Sequence, residues 1–218
     1  MKFKAVLFDL DGTLLDTLDD LADSMNAVLK QLGFPTHKTE AYKYFVGEGM
    51  VVLCQRALPD AYRDKTTIER CRRGMHEEYG KRWAIKTKPY VGIHELLDAL
   101  TVRNIKIAVL SNKVDDFTKL TVARLLPKWH FDIITGHRRD VPRKPDPAGA
   151  IRIARQMELA PAKFVYLGDT AIDMKTAIAA GMYPVGALWG FRTKEELVKN
   201  GAKLIITRPI ELLDLFLE

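Results

Sequence analysis

The chain has 218 residues, 47% apolar and 28% charged, with 34 basic against 28 acidic side chains and a net charge of +6. That is the composition of a globular protein of one domain or two small ones. The charges are dispersed, with no basic run of five and no apolar stretch long enough to cross a bilayer, so nucleic-acid modules and membrane spans are excluded and the positive excess reads as surface.

The start, Met1-Lys2-Phe3-Lys4-Ala5, carries the charge of a signal-peptide opening, but Asp9 ends the apolar run early and no small-residue cleavage site follows. Cys54 and Cys71 form no metal motif. Two free thiols and no signal sequence predict a reducing, cytoplasmic setting. The expected assembly is a monomer or weak homodimer.

Ala5-Val6-Leu7-Phe8 has the composition of a short buried strand, and Asp9-Leu10-Asp11-Gly12-Thr13 follows at its end. In extended chain, side chains two apart point to one side, so Asp9 and Asp11 are expected to face one small volume, where a hard cation such as Mg²⁺ would relieve their repulsion. Gly12 permits a sharp turn there.

From Leu18 to Leu32 apolar residues recur at helical spacing, and Gly33 and Pro35 end the helix. Further helices are predicted over Met50–Leu58 and Thr67–Trp83, the latter with Ile68, Cys71, Met75 and Tyr79 on one side. Gly47-Glu48-Gly49 is a loop between helices. No strand is expected between Asp16 and Lys88.

From Pro89 onward helices and strands alternate. Helices are predicted over Ile93–Leu100, Asp115–Leu126, Pro147–Met157, Ala171–Ala180 and Pro209–Leu217. Strands are predicted over Ile105–Leu110, Phe131–Ile134, Phe164–Leu167, Pro184–Leu188 and Leu204–Ile206. The alternation indicates an α/β fold with a parallel sheet covered on both faces, formed by residues 1–15 and 89–218. Residues 16–88 are expected to be an all-helical domain inserted after the first strand.

Four polar clusters fall at strand ends or in the loop that follows: Asp9/Asp11, Ser111/Asn112, Lys144 and Asp169/Asp173. In open α/β sheets ligands bind outside the carboxyl ends of the strands. Each cluster has a plainer explanation: an Asp-Gly surface turn, a helix cap, a solvated lysine, a Gly-Asp-Thr turn. All four on one rim are hard to attribute to chance. Chemically the set suffices for phosphoryl transfer through a covalent intermediate. One carboxylate attacks phosphorus, another protonates the leaving oxygen and then activates water, a third completes a Mg²⁺ site, and a hydroxyl and an ammonium hold the phosphoryl oxygens.

Asp9-Leu10-Asp11-Gly12-Thr13, Ser111-Asn112, Lys144-Pro145 and Gly168-Asp169-Thr170-Ala171-Ile172-Asp173 resemble the four motifs of the haloacid-dehalogenase-like superfamily, across essentially the whole chain. The chain is similar in particular to the phosphoglycolate phosphatase branch, including Ala179-Ala180-Gly181-Met182. The resemblance implies a Rossmann-like three-layer core with a helical cap over residues 16–88. It implies Asp9 as nucleophile, Asp11 as acid/base, and a Mg²⁺ site from Asp9, the Asp11 carbonyl and Asp169, with Asp173 in support. Ser111 and Lys144 would hold the phosphoryl group, with Thr13 and Asn112 beside it. The cap loop Val46-Gly47-Glu48-Gly49-Met50 would meet the rest of a small phosphorylated metabolite through Gly47. Lys43 and Arg56 read as surface charge, with a substrate carboxylate as the alternative. Asp11 favours phosphate-ester hydrolysis, since the dehalogenases and phosphonate-cleaving members lack this second aspartate. Two other readings stay open: a sugar-phosphate mutase of the β-phosphoglucomutase kind, and a non-catalytic binding protein.

Overall fold

The computed structural model describes residues 2–217, which divide into two compact units, 2–15 with 89–217 and, separately, Asp16–Lys88. In chain order the elements begin with β1 (Ala5–Phe8) and the two-residue β2 (Leu15–Asp16). Helices α1 (Leu18–Gln31), α2 (Thr39–Phe45), α3 (Met50–Ala57) and α4 (Lys65–Arg82) follow, then the two-residue β3 (Lys88–Pro89). After them come α5 (Ile93–Val102), β4 (Lys106–Val114), α6 (Asp115–Leu125), β5 (Ile133–His137), α7 (Ala148–Gln156) and β6 (Phe164–Gly168). The last are α8 (Ala171–Ala179), β7 (Tyr183–Ala187), α9 (Lys194–Lys199), β8 (Leu204–Ile206) and a 3-10 helix, Pro209–Phe216.

The larger unit is built on a six-stranded sheet in the order β5-β4-β1-β6-β7-β8, every neighbouring pair parallel. Period-two alternation sorts its side chains into two cores. Val6 and Phe8, Ile107 and Val109, and Val165 and Leu167 join a cluster with Ile93, Leu96 and Leu100 of α5 and Phe216. Ala5 and Leu7, Ala108 and Leu110, and Phe164 and Tyr166 join another with Ala150 and Ile153 of α7 and Ala177 of α8. Strands buried on both faces read as continuous apolar runs, which is why Ala5–Phe8 shows no polar alternation. The result is a three-layer Rossmann-like α/β fold. The chain works outward from β1 through β4 to β5, then crosses to β6 and on to β8, so strand order reverses at β1. A ligand crevice is expected beyond the carboxyl end of such a strand.

The smaller unit is helical. Its α1 packs against α4, with Met25 and Cys71 buried and their sulfurs 3.6 Å apart. Asp20 is buried and satisfied, accepting from the Lys86 and Thr87 amides at 3.0 and 2.8 Å and from the Thr87 hydroxyl at 2.7 Å. Arg56 forms an ion pair with Glu48 in the Gly47–Gly49 loop and donates to the Tyr44 carbonyl. No helix among the described residues is long and apolar enough to cross a membrane.

Several boundaries differ from the sequence pattern. Strand β4 does not stop at Leu110 but runs through Ser111, Asn112 and Lys113, with an irregular register before Val114 pairs with His137. Polar side chains hid a backbone that stays extended. Strand β5 begins two residues later than its apolar run, because Phe131 is buried ahead of the ladder. On α4 the buried side includes Glu78, whose charge is paired, while Ile68 is only half buried. The closing segment is a 3-10 helix, and α9 was not foreseen: its six residues bury only Leu197 and offer no apolar stripe.

Candidate active site

Asp9 directly follows β1, its amide donating to the Leu167 carbonyl of β6 at 2.9 Å. Asp169 directly follows β6 and Asp173 lies in the first turn of α8. Adjacent parallel strands thus bring Asp9 and Asp169 together, and the helix start supplies Asp173. Carboxylate oxygens of the three lie within 4.8 Å of one another, all buried.

Lys144 reaches this cluster from the loop before α7. Its Nζ lies 2.7 Å from Asp9 Oδ1 and 2.7 Å from Asp173 Oδ1, with its side chain almost wholly buried. Burial alone would pull the lysine down, but Asp173 and Asp9 outweigh it and hold the ammonium charged well above the ordinary lysine range. Burial and then Asp173 push Asp9 up, against the opposing pull of Lys144. Burial and Asp173 likewise raise Asp169 to about 7, although the Phe191 amide and the Thr13 hydroxyl stabilise its charged form. Three carboxylates share one ammonium, so with all three ionised the cluster carries two more negative charges than Lys144 balances. Oxygen donors with that residual charge fit a hard divalent cation such as Mg²⁺. Asp9, Asp169 and Asp173 are the side chains that would hold it.

The surroundings fix these groups. Asp173 forms a capping box with Thr170, accepting from the Thr170 amide at 3.1 Å and hydroxyl at 2.6 Å. Asp169 accepts from the Thr13 hydroxyl at 2.9 Å and the Phe191 amide at 2.8 Å. Gly12 adopts φ +92°, and a Cβ there would lie 2.3 Å from Asp169 Oδ2. The Thr13 carbonyl accepts from Trp189 Nε1 at 2.9 Å.

Not every expected site residue joins the cluster. The Asp11 carboxylate stands apart from the three, paired at 2.8 Å with Lys113 Nζ. Asp9 and Asp11 are thus each paired with a lysine, Lys144 (shared with Asp173) and Lys113, where the sequence pattern expected a hard cation alone to relieve their repulsion. Thr13, expected beside the phosphoryl group, gives its hydroxyl to Asp169. Asn112 holds the Lys144 backbone, and the Ser111 Oγ accepts from the Lys113 amide at 3.2 Å. Gly47 lies in the helical unit with φ +110°. Sequence reasoning missed Lys113, Trp189, Gly190 and Phe191. Lys113 sits in the motif-bearing strand end and could have been found there; nothing in the sequence marks the other three.

A family profile described as Haloacid dehalogenase-like hydrolase matches residues 6–187. The chain is 30% identical to the phosphoglycolate phosphatase of Aquifex aeolicus (strain VF5), over 97% of this chain and 96% of that one. It is 31% identical to the phosphoglycolate phosphatase of Nitrosospira multiformis, over 94% and 92%. Among solved structures, a chain from Lactobacillus delbrueckii subsp. bulgaricus superposes with TM-score 0.93 at 31% identity, covering 100% of this chain and 99% of that one. A predicted phosphoglycolate phosphatase from Haemophilus somnus 129PT gives TM-score 0.92 at 26% identity, with coverage of 100% and 99%.

Proposed function

The chain belongs to the haloacid dehalogenase-like hydrolase family, and we propose that it is a phosphoric monoester hydrolase that cleaves a small phosphorylated acid, phosphoglycolate or a close analogue, through a phosphorylated Asp9. The observation that carries the proposal is Lys144 Nζ at 2.7 Å from both Asp9 and Asp173 within a buried carboxylate cluster at the strand-order reversal.

Asp9 attacks phosphorus with one carboxylate oxygen, and the bond from phosphorus to the ester oxygen breaks. Asp11, protonated at that stage, gives its proton to the departing oxygen. It then takes a proton from water, which attacks the phosphoryl group and frees Asp9 as carboxylate. Lys144 keeps Asp9 oriented and, with Ser111, meets the negative oxygens of the transferring group. Asn112 contributes by fixing the Lys144 backbone, and Thr13 by orienting Asp169. A Mg²⁺ ion held by Asp9, Asp169 and Asp173, with the Asp11 carbonyl, would supply charge neutralisation for the phosphoryl group. The helical unit serves as a cap, with Gly47 in its substrate-facing loop. Two free cysteines, both buried, suit a reducing cytoplasm.

The experiment is phosphate release by the purified protein from phosphoglycolate and from an aryl phosphate, with Mg²⁺, after chelation, and after Mg²⁺ is restored. Turnover that is lost on chelation and regained with Mg²⁺ is expected. Absence of phosphate release from every ester under all three conditions would refute the proposal.

A further inference from the structure

The site contains two buried lysines, and only one is used above. Lys144 serves Asp9 and Asp173; Lys113 serves Asp11, with Nζ 2.8 Å from Oδ1 and a side chain 7% exposed beside a carboxylate 19% exposed. A lysine held this deep has been taken out of water, and a purely solvated surface charge would not be placed there.

Its position has a chemical consequence. A group that protonates the leaving oxygen must come within hydrogen-bond reach of it, about 2.6–3.2 Å. Asp11 therefore sits against the leaving group during the reaction, and Lys113 Nζ lies one hydrogen-bond length from Asp11. In the phosphate ester of a 2-hydroxy acid, the carboxyl carbon is two bonds from the ester oxygen. Ordinary bond lengths put its nearer oxygen about 3 Å from that ester oxygen. The substrate's own carboxylate is thus carried to the neighbourhood of Asp11. A substrate carboxylate carried into this partly buried place needs a cation beside it to offset its lost hydration. Lys113 is the cation already anchored on Asp11, and a charge-assisted hydrogen bond to a second carboxylate is within the capacity of an ammonium with three donors. A neutral leaving alcohol brings no partner for it.

Resting on the phosphatase activity proposed above, we infer that Lys113 is a specificity-determining residue, which selects phosphate esters whose leaving group bears a carboxylate next to the ester carbon. Selection for the acidic leaving group then resides in the core, at the end of β4, and does not depend on basic residues of the helical unit. That agrees with Arg56, whose guanidinium is paired with Glu48. Lys113 also holds Asp11, so its loss affects every substrate to some degree; selection is read from the ratio between substrates.

The test compares kcat/KM for phosphoglycolate, for ethyl phosphate, in which a methyl group replaces the carboxylate, and for an aryl phosphate. The proteins are wild type, Lys113→Met and Lys113→Arg, with thermal unfolding of each as the check on folding. Wild type is expected to prefer phosphoglycolate to ethyl phosphate, and Lys113→Met to lower that preference by about tenfold or more, since a site built to pair a polar group discriminates strongly against analogues lacking it. The loss should fall on KM for phosphoglycolate more than on KM for the aryl ester. Lys113→Arg, which keeps the charge, should retain part of the preference. An equal loss on all three esters would mean that Lys113 only positions Asp11, and would overturn the inference. A wild-type enzyme indifferent to the carboxylate would overturn it even if Lys113→Met failed to fold. A wild type that hydrolyses none of the three esters would instead refute the phosphatase proposal, and the inference with it.

Discussion

Asn112 clasps Lys144 by its backbone at two points: Asn112 Nδ2 donates to the Lys144 carbonyl at 3.0 Å, and the Lys144 amide donates to Asn112 Oδ1 at 2.9 Å. The two residues are 32 positions apart, and the pair fastens the loop before α7 to the end of β4. Only with that loop in place does the Lys144 ammonium reach Asp9 and Asp173.

Asn112→Ala removes both bonds and leaves a buried amide and carbonyl unpaired, at a cost of about 1–3 kcal/mol. The expected result is a lower unfolding midpoint together with a fall in kcat of about tenfold or more, since roughly 1.4 kcal/mol of misplacement suffices. Unchanged kcat in a folded Asn112→Ala protein would show that the Lys144 loop holds its place without the clasp.

Gly190 packs directly against Asp169, as Gly12 does. A Cβ at 190 would stand 2.3 Å from Asp169 Cβ and 2.4 Å from the Gly12 carbonyl oxygen. Gly190→Ala must push the Asp169 loop or the turn at Gly12 aside, and overpacking of this kind costs about 1–3 kcal/mol. Lower stability on denaturant titration and weaker Mg²⁺ dependence of turnover are expected. Wild-type behaviour in both assays would mean that the loop yields freely.

Glu78 tests the electrostatics of the helical unit. Lys81 at 2.8 Å and Arg82 at 2.9 Å hold its carboxylate down from the usual 4.5 to about 2. A carboxylate depressed on folding contributes stability that is complete above its unfolded pKa and is lost as pH falls through the folded one. Glu78→Gln should therefore cost about 1–2 kcal/mol near neutral pH, the cations being partly exposed, and progressively less from about pH 4.5 towards 2. Denaturant titrations of both proteins across that range check it; a cost that does not shrink with acid contradicts the assignment.

Asp11→Asn should slow both the formation and the hydrolysis of the phosphorylated enzyme, because one group serves both proton transfers. A general acid/base contributes about 10²–10⁴-fold. The loss should be larger for an alkyl phosphate than for an aryl phosphate, whose leaving group needs less help. Equal losses would remove Asp11 from the proton transfer.

The sheet was legible because buried parallel strands leave unbroken apolar runs such as Ala5–Phe8 and Phe164–Leu167, and two strand ends were legible because Asp9 follows the first run and Gly168-Asp169 the second; Ser111 follows an apolar run too, but lies inside β4. Asp9, Lys144, Asp169 and Asp173 were all named from the sequence, and their side chains meet. Spacing alone joins Asp9 to Asp11, and only the family resemblance groups Asp9 with Asp169 and Asp173; parallel strand pairing is what brings Asp9 to Asp169 and leaves the Asp11 carboxylate to Lys113. Asn112 looked like a ligand because its partner is a backbone far along the chain. Trp189, Gly190 and Phe191 were invisible because their part is steric or carried by backbone amides, and neither leaves a pattern of residue types. Helix α9 was missed for want of an apolar face, since it buries a single leucine.

The central claim is that Asp9 becomes phosphorylated, and rapid-quench mass analysis of the protein mixed with Mg²⁺ and phosphoglycolate tests it most directly. The account predicts one phosphoryl group on the peptide containing Asp9, accumulating further in Asp11→Asn and absent from Asp9→Asn freshly prepared and checked for deamidation. Hydrolysis of phosphoglycolate at wild-type rate by a verified Asp9→Asn protein, with no phosphoryl group found on Asp9 in any variant, would contradict it.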